Sequence, residues 1–250
     1  MDLQAQEGIL TTSSARFLVA TAVPAERDAV AGAFPEPAAE VPLPAGTLHR
    51  TGDFDLLAVG VGPALAAACT ASALTAAALR GAPYDLVVCA GIAGGFAPDA
   101  PVGSLVVADA IVAADLGAET PDGFLPVTDL GFGTVSHRPP ASLVRGLAAA
   151  SGAVTGTVLT VSTVTGTARR ADELRARHPG ALAEAMEGFG VAEAAAAHGT
   201  PVVEIRAVSN PVGPRDRAAW RIGDALGALT ESFGKLATAL ESWTQHDRTQ

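Results

Sequence analysis

The stretch YDLVVCAGIAGGF (84–96) drives an apolar, β-branched run straight into three glycines within five residues. A run this short, bounded by glycine, reads as a buried strand that passes into a glycine-rich turn. Working outward, PALAAACTASALTAAALR (63–80) is built from helix formers and starts on proline, a favoured first helical residue. DFDLLAVGVG (53–62) and RFLVATAV (16–23) read as strands, and PAERDAVAGAF opens a helix on Pro24. On the other side, VGSLVVADAIVAAD (102–115), GTVLTVSTV (156–164) and PVVEIRAVSN (201–210) have strand character. ARRADELRAR (168–177), the alanine-rich 187–198 and the long 216–243 have helical character. This alternation predicts an α/β fold: one three-layer α/β/α domain over residues 15–245, with a mixed central sheet flanked by helices. The polar residues 1–14 are expected to be disordered, and the proline-rich FPEPAAEVPLPAG (34–46) to be a surface loop.

Composition narrows the function. Hydrophobic residues make up 49% of the 250, aromatics only 4%, so Ala, Val and Leu must fill the core. The formal charge is −10, and Lys235 is the single lysine. No basic stripe exists to follow a phosphate backbone, which argues against nucleic-acid binding. Cys69 and Cys89 both lie in apolar runs and read as buried free thiols. The five histidines have no metal-ligand spacing, so neither metal nor cofactor is expected. No apolar run reaches membrane-spanning length and no secretory leader pattern occurs, so the expectation is a cytoplasmic protein without membrane contact.

In open α/β sheets ligands sit beyond the carboxyl ends of strands. Four such ends carry unusual residues: Glu26, the GIAGG segment (91–95), Met186-Glu187 and Ser209-Asn210. Each has a structural reading as well. Glu26 and Glu187 suit the first turn of a helix, the glycines a tight passage, and Asn210-Pro211 a turn.

Taken together, CAGIAGGFAPDAPVGSLVVAD (89–109) and MEGFGVAEAAAAHGTPVVEIRAVSN (186–210) resemble the purine nucleoside phosphorylase and nucleosidase superfamily over residues 16–243. TAVPAERDAV (21–30), ADLGAE (114–119) and SNPVGPRDRAAWRIGDAL (209–226) resemble its futalosine hydrolase branch, nucleosidases of an alternative menaquinone pathway. The resemblance implies hydrolysis of an N-glycosidic bond through an oxocarbenium-like ribosyl cation. It implies Glu26 as the base that activates water, and Glu187 as the acid that holds the ribose hydroxyls and steadies the cation. Met186 would pack beneath the sugar. Ile92, Ala93 and Gly94 would line sugar and base with backbone, and the backbone of Thr165, Gly166 and Thr167 would face the purine. Ala185 departs from the pattern: many relatives carry another acid there. Glu184 is offset by one position and receives no role from the resemblance.

Asn210 is the more informative departure, because adenine-specific relatives usually place Asp at this point. An amide offers both a donor and an acceptor, which suits a departing 6-oxopurine. The substrate implied is therefore futalosine, and the products hypoxanthine and dehypoxanthinyl futalosine. Arg215, Arg217 and Trp220 are candidates for the benzoate-bearing tail at the sugar's 5′ end, and equally read as solvated charges beside a core tryptophan. No arginine precedes the glycine segment, as it does in hexameric phosphorylases, although Arg27 stands next to Glu26. The alternatives are a methylthioadenosine/S-adenosylhomocysteine nucleosidase, a 6-oxopurine nucleoside phosphorylase, and a silent nucleoside-binding protein. Relatives imply a homo-oligomer, a dimer or larger.

Overall fold

The computed structural model describes residues 15–247; the expectation for residues 1–14 falls outside that range. The chain runs β1 (Phe17–Thr21), α1 (Pro24–Ala31), β2 (Ala39–Leu43), β3 (Gly46–Thr51), β4 (Phe54–Ala58) and α2 (Pro63–Leu79). It continues through β5 (Leu86–Gly95), β6 (Leu105–Ala113), β7 (Gly117–Thr120), β8 (Gly123–Pro126), β9 (Ser136–His137) and α3 (Ala141–Ser151). The last part is β10 (Val154–Thr160), α4 (Ala168–Arg177), β11 (Ala181–Ala185), α5 (Gly188–Ala197), β12 (Val202–Pro211), a 3₁₀ turn (Arg217–Ala219) and α6 (Ile222–Asp247).

The main sheet has the order β11-β10-β6-β12-β5-β1-β4-β3-β2, with β9 beside β6. Its strands alternate faces with period two, and both faces are buried. Leu18, Ala20, Val87 and Cys89 pack with α2 and α5, whose contribution is mostly alanine. Phe17, Val19, Leu86 and Val88 pack with α1, α3 and α6, through Val30, Leu147 and Phe233. A smaller cluster lies under α4, where Ala171 and Leu174 cover Leu159 and Val112. The sheet is mixed: β12 runs parallel to β5 but antiparallel to β6, and β11 runs parallel to β10. A further antiparallel pairing joins β11 to the end of β5, Ala183 to Gly95 and Glu184 to Gly94. Strands β5, β12, β6, β10 and β11 thereby close into a ring.

Several expectations are corrected. The GIAGG segment is not a turn: β5 runs on to Gly95 because β12 pairs with it on one side and β11 on the other. None of Gly91, Gly94 and Gly95 has a positive φ. They are glycines for space; a Cβ on Gly95 would lie 2.1 Å from the Ala100 carbonyl oxygen. The 34–46 loop is half a hairpin. Pro42 sits inside β2, where the outermost strand of the sheet tolerates a residue with no N–H to donate. The C-terminal helix begins at Ile222, not 216, since a 3₁₀ turn capped by Asp216 intervenes. Cys69 is only half-buried, whereas Cys89 is fully buried.

Alanine and glycine let the α2–α5 pair approach closely. A Cβ on Gly190 of α5 would meet the Pro63 carbonyl oxygen of α2 at 2.0 Å. Gly190→Ala should therefore force the helices apart at a cost of about 1–3 kcal/mol. In a chain of this size that lowers Tm by roughly 2–12 °C, readable by circular dichroism. An unchanged Tm would show that this contact does not set the helix spacing.

Candidate active site

The carboxyl ends of β1, β5 and β12, the end of β11 and the segment after β10 surround a cavity of about 520 Å³. At one wall, Glu26 projects from the first turn of α1 and is buried. Its Oε2 accepts from the backbone N–H groups of Ala22 (2.9 Å) and Val23 (3.2 Å), and its Oε1 from that of Ile92 (2.8 Å). Three backbone donors fix the carboxylate and leave it about one of its four acceptor positions.

Glu187 is the N-cap residue of α5 and is also buried. Its Oε1 accepts from the Gly62 N–H at 3.2 Å, and its Oε2 from Arg206 Nη2 at 3.2 Å. Arg206 lies on β12 and is 1% exposed. Its Nε donates to Glu204 Oε1 (2.8 Å), Nη1 to the Ile92 carbonyl (3.3 Å), and Nη2 also to Cys89 Sγ (3.3 Å). Burial pushes the Glu204 carboxyl above the usual range, against the pull of Arg206. Burial likewise pushes the Cys89 thiol up, so it meets the guanidinium as a neutral acceptor. Two glycines make this crowding possible. A Cβ on Gly91 would lie 2.6 Å from both Arg206 Nη1 and Glu26 Oε1, and one on Gly188 would lie 2.1 Å from Glu204 Oε2. The first of these glycines places the guanidinium and the Glu26 carboxylate side by side.

The far wall is polar in a different way. A register shift between Val208 and Asn210 brings Asn210 opposite Gly94, and the freed Ser209 hydroxyl lies 2.9 Å from Asn210 Oδ1 and 3.3 Å from the Ala93 carbonyl oxygen, its single hydrogen directed to the nearer acceptor. Such a bulge re-aims a side chain at the rim of a site. Asn210 Nδ2 gives one hydrogen to the Pro211 carbonyl at 3.0 Å. Arg215, Arg217 and Trp220 line the opening, with the two guanidinium carbons 5.5 and 5.9 Å from the Trp220 ring centroid.

A family model for the phosphorylase superfamily matches residues 21–241. The chain belongs to the phosphorylase superfamily. Among its relatives in this superfamily, a futalosine hydrolase of Streptomyces coelicolor is 78% identical over 93% of this chain and 99% of its own length. A futalosine hydrolase of Acidothermus cellulolyticus is 47% identical over 90% of this chain and 92% of its own. The solved native structure of a Helicobacter pylori futalosine hydrolase superposes with a TM-score of 0.76 at 18% identity, covering 90% of this chain and 98% of that one. That last likeness speaks to the fold, which is the nucleoside phosphorylase-like α/β/α arrangement expected from the sequence.

Within this superfamily scaffold, most residues singled out from the sequence meet in the one cavity. Glu26, Ile92, Ala93 and Gly94 line it, as do Thr165, Met186, Glu187 and Asn210. Trp220 is half-buried there beside the exposed Arg215 and Arg217, and is not a core residue. Three residues stand outside the lining. Thr167 is the N-cap of α4, its hydroxyl accepting from the Arg170 N–H, and Gly166 backs onto the Arg215 side chain; neither lines the cavity. Arg27 is turned to Asp28 at 2.7 Å and is likewise not a lining residue. Sequence reading missed Glu184, which lines the cavity, Arg206, which holds Glu187, and Glu204, which holds Arg206. Alternating acid and base in VVEIRAV, inside a strand buried on both faces, was the available signal for the last two.

Arg206 is the cation that makes burial of Glu204 and Glu187 tolerable. Arg206→Met should cost about 3–5 kcal/mol by leaving both carboxylates unpaired. Adding Glu204→Leu in the same chain should recover much of that loss, measured as a urea midpoint. A double variant no more stable than the single would show that charge compensation is not what Arg206 provides.

Proposed function

We propose that this chain is a futalosine hydrolase, which cleaves the N-glycosidic bond of futalosine with water and releases hypoxanthine and dehypoxanthinyl futalosine in menaquinone biosynthesis. The observation that carries the reading is the 78% identity to a futalosine hydrolase across nearly the whole of both chains. The cavity supports it chemically. Cleavage leaves positive charge on the ribose and negative charge on the departing base. Glu187, held from two sides, presents its carboxylate where the sugar hydroxyls and the developing cation would lie. Glu26 keeps one acceptor position on its cavity side, where it can take a proton from the attacking water. Asn210 supplies a donor to the base. The Ser209 hydroxyl and Pro211 carbonyl fix its amide, so a free N–H, not the amide oxygen, faces an acceptor.

Water as the nucleophile is supported by the cations near the site. Arg206 is committed to Glu187 and Glu204, Arg27 to Asp28, and Arg215 and Arg217 stand at the opening beside Trp220. That pair and the indole suit the benzoate end of the substrate. The reading also carries a cytoplasmic homo-oligomer, for which Val61 and Leu65, both more than half exposed near the cavity, offer an apolar surface. No helix among the described residues is long and apolar enough to cross a membrane.

Base release from futalosine, inosine and methylthioadenosine, with and without phosphate, tests the assignment. Hypoxanthine should appear from futalosine without phosphate; a phosphate requirement, or preference for methylthioadenosine, would overturn it. Glu26→Gln should lower kcat by about 10²–10⁴-fold while the substrate still binds. Glu187→Gln should lower kcat more than it raises KM, because the lost interaction belongs to the transition state. Near-normal turnover in either would remove that residue from the chemistry.

Loss of the arginine that pairs with the benzoate should weaken kcat/KM for futalosine roughly 10- to 150-fold, the value of a charge-assisted contact, and spare inosine, which has no tail. Comparing Arg215→Ala with Arg217→Ala on both substrates identifies which one it is. Equal losses on both substrates would make these residues structural.

A further inference from the structure

One buried acid in the cavity has no part in the chemistry above. Glu184 lies on β11, is 5% exposed and lines the cavity. Its Oε1 accepts from the Thr165 N–H at 2.8 Å and its Oε2 from the Thr165 hydroxyl at 2.5 Å. Burial pushes the carboxyl up, and the two Thr165 hydrogen bonds pull it back. Both bonds have the carboxylate as acceptor, and a carboxylate accepts about four. Two of its acceptor positions therefore remain.

The ring of strands decides what stands beside them. Glu184 pairs with Gly94 from one side, and Asn210 pairs with the same Gly94 from the other. Residues in register across neighbouring strands share a face. Gly94 itself has no side chain; where its Cβ would stand, Val212 Cγ2 lies at 3.0 Å and Asn210 Nδ2 at 3.4 Å, so the row is part apolar and part polar. Across one row of the ring the wall thus offers a free N–H of Asn210 and a free acceptor of Glu184.

We propose that Glu184 reads the base by accepting the N1–H of a 6-oxopurine, beside an Asn210 amide that donates to its 6-oxygen or N7. The inference rests on the proposed hydrolysis of a hypoxanthine nucleoside and assigns a new residue to its specificity. Hypoxanthine presents an acceptor at carbon 6 and a donor at N1. The wall presents a donor and an acceptor. Adenine presents the reverse order, an amino donor at carbon 6 and an acceptor at N1, so it meets the wall with both contacts mismatched. A site that buries polar groups for a ligand discriminates strongly against an analogue that leaves them unpaired.

Calorimetric binding of free hypoxanthine, 1-methylhypoxanthine and adenine tests the contact without requiring turnover. The wild-type protein should bind hypoxanthine at least 10-fold more tightly than either of the other two. Glu184→Gln can keep both Thr165 bonds, since its amide oxygen accepts the N–H and its amide donates to the hydroxyl. It should bind hypoxanthine roughly 10- to 100-fold more weakly and narrow the gap to adenine. Equal binding of hypoxanthine and its N1-methyl derivative by the wild type would overturn the proposal whether or not the variant folds. A variant that loses affinity for hypoxanthine and adenine alike would also overturn it, leaving Glu184 as a staple for the 162–167 segment. Hypoxanthine release from futalosine, followed in the same preparations, reports separately on the hydrolase reading. Absence of release with intact base discrimination would sink that reading and keep the contact.

Discussion

A single guanidinium, that of Arg206, holds the interior of this molecule together. It lies in the central strand of the ring, where every neighbour is protein, and it is met by Glu204, Glu187, the Ile92 carbonyl and the Cys89 sulfur. A charge taken this far from water is tolerable only when its partners are close and well aligned. The partners in turn belong to different elements: Glu187 stands at the N-cap position of α5 and its carboxylate reaches the entrance of α2 through the Gly62 N–H, and Ile92 belongs to β5. Glycine at 91 and 188 follows from the same need, since any side chain at either position would collide with a member of the cluster. Two carboxyl groups share the one arginine, and burial pushes the Glu204 carboxyl above its usual range against the pull of Arg206.

The ring closure supplies the rest of the geometry. Because the end of β5 pairs with β12 and β11 at once, its Gly94 has Asn210 beside it on one side and Glu184 on the other. Glu26 comes from outside the ring, on α1, yet it is fastened to it by the Ile92 N–H. The cavity is therefore framed by backbone hydrogen bonds on rigid elements, which keeps donors and acceptors in place before any substrate arrives.

Much of this was legible in the sequence because burial leaves a periodic trace. The apolar runs of β1, β4, β5, β6, β10 and β12, and the proline-initiated α1 and α2, stand where the residues suggest. The family resemblance gathered residues from four strand ends into one cavity. What escaped notice has physical causes. The glycines of 91–95 resemble a turn because composition cannot distinguish glycine needed for backbone freedom from glycine needed for space. The β2–β3 hairpin hid behind its prolines, and β11 behind the short alternation ALAEA. Glu184, one position from the acid of the family pattern, draws no role from the sequence, because its place in the cavity depends on a pairing between strands far apart in the chain, which no local pattern records. Thr167 lies in the same segment as Thr165, and its hydroxyl caps α4.

The proline in β2 has a wider consequence. Open sheet edges template the addition of further strands, which is the first step towards aggregation. Here β11 turns its outer side to β5, so the ring consumes one end of the main sheet and leaves β2 as the strand at the other. Pro42 interrupts the line of N–H groups along that last strand, and Glu40 places a charge two residues away. A protein whose interior is largely alanine and valine, with few aromatics to lock it, thus guards against open-ended strand addition by limiting where its backbone can be extended.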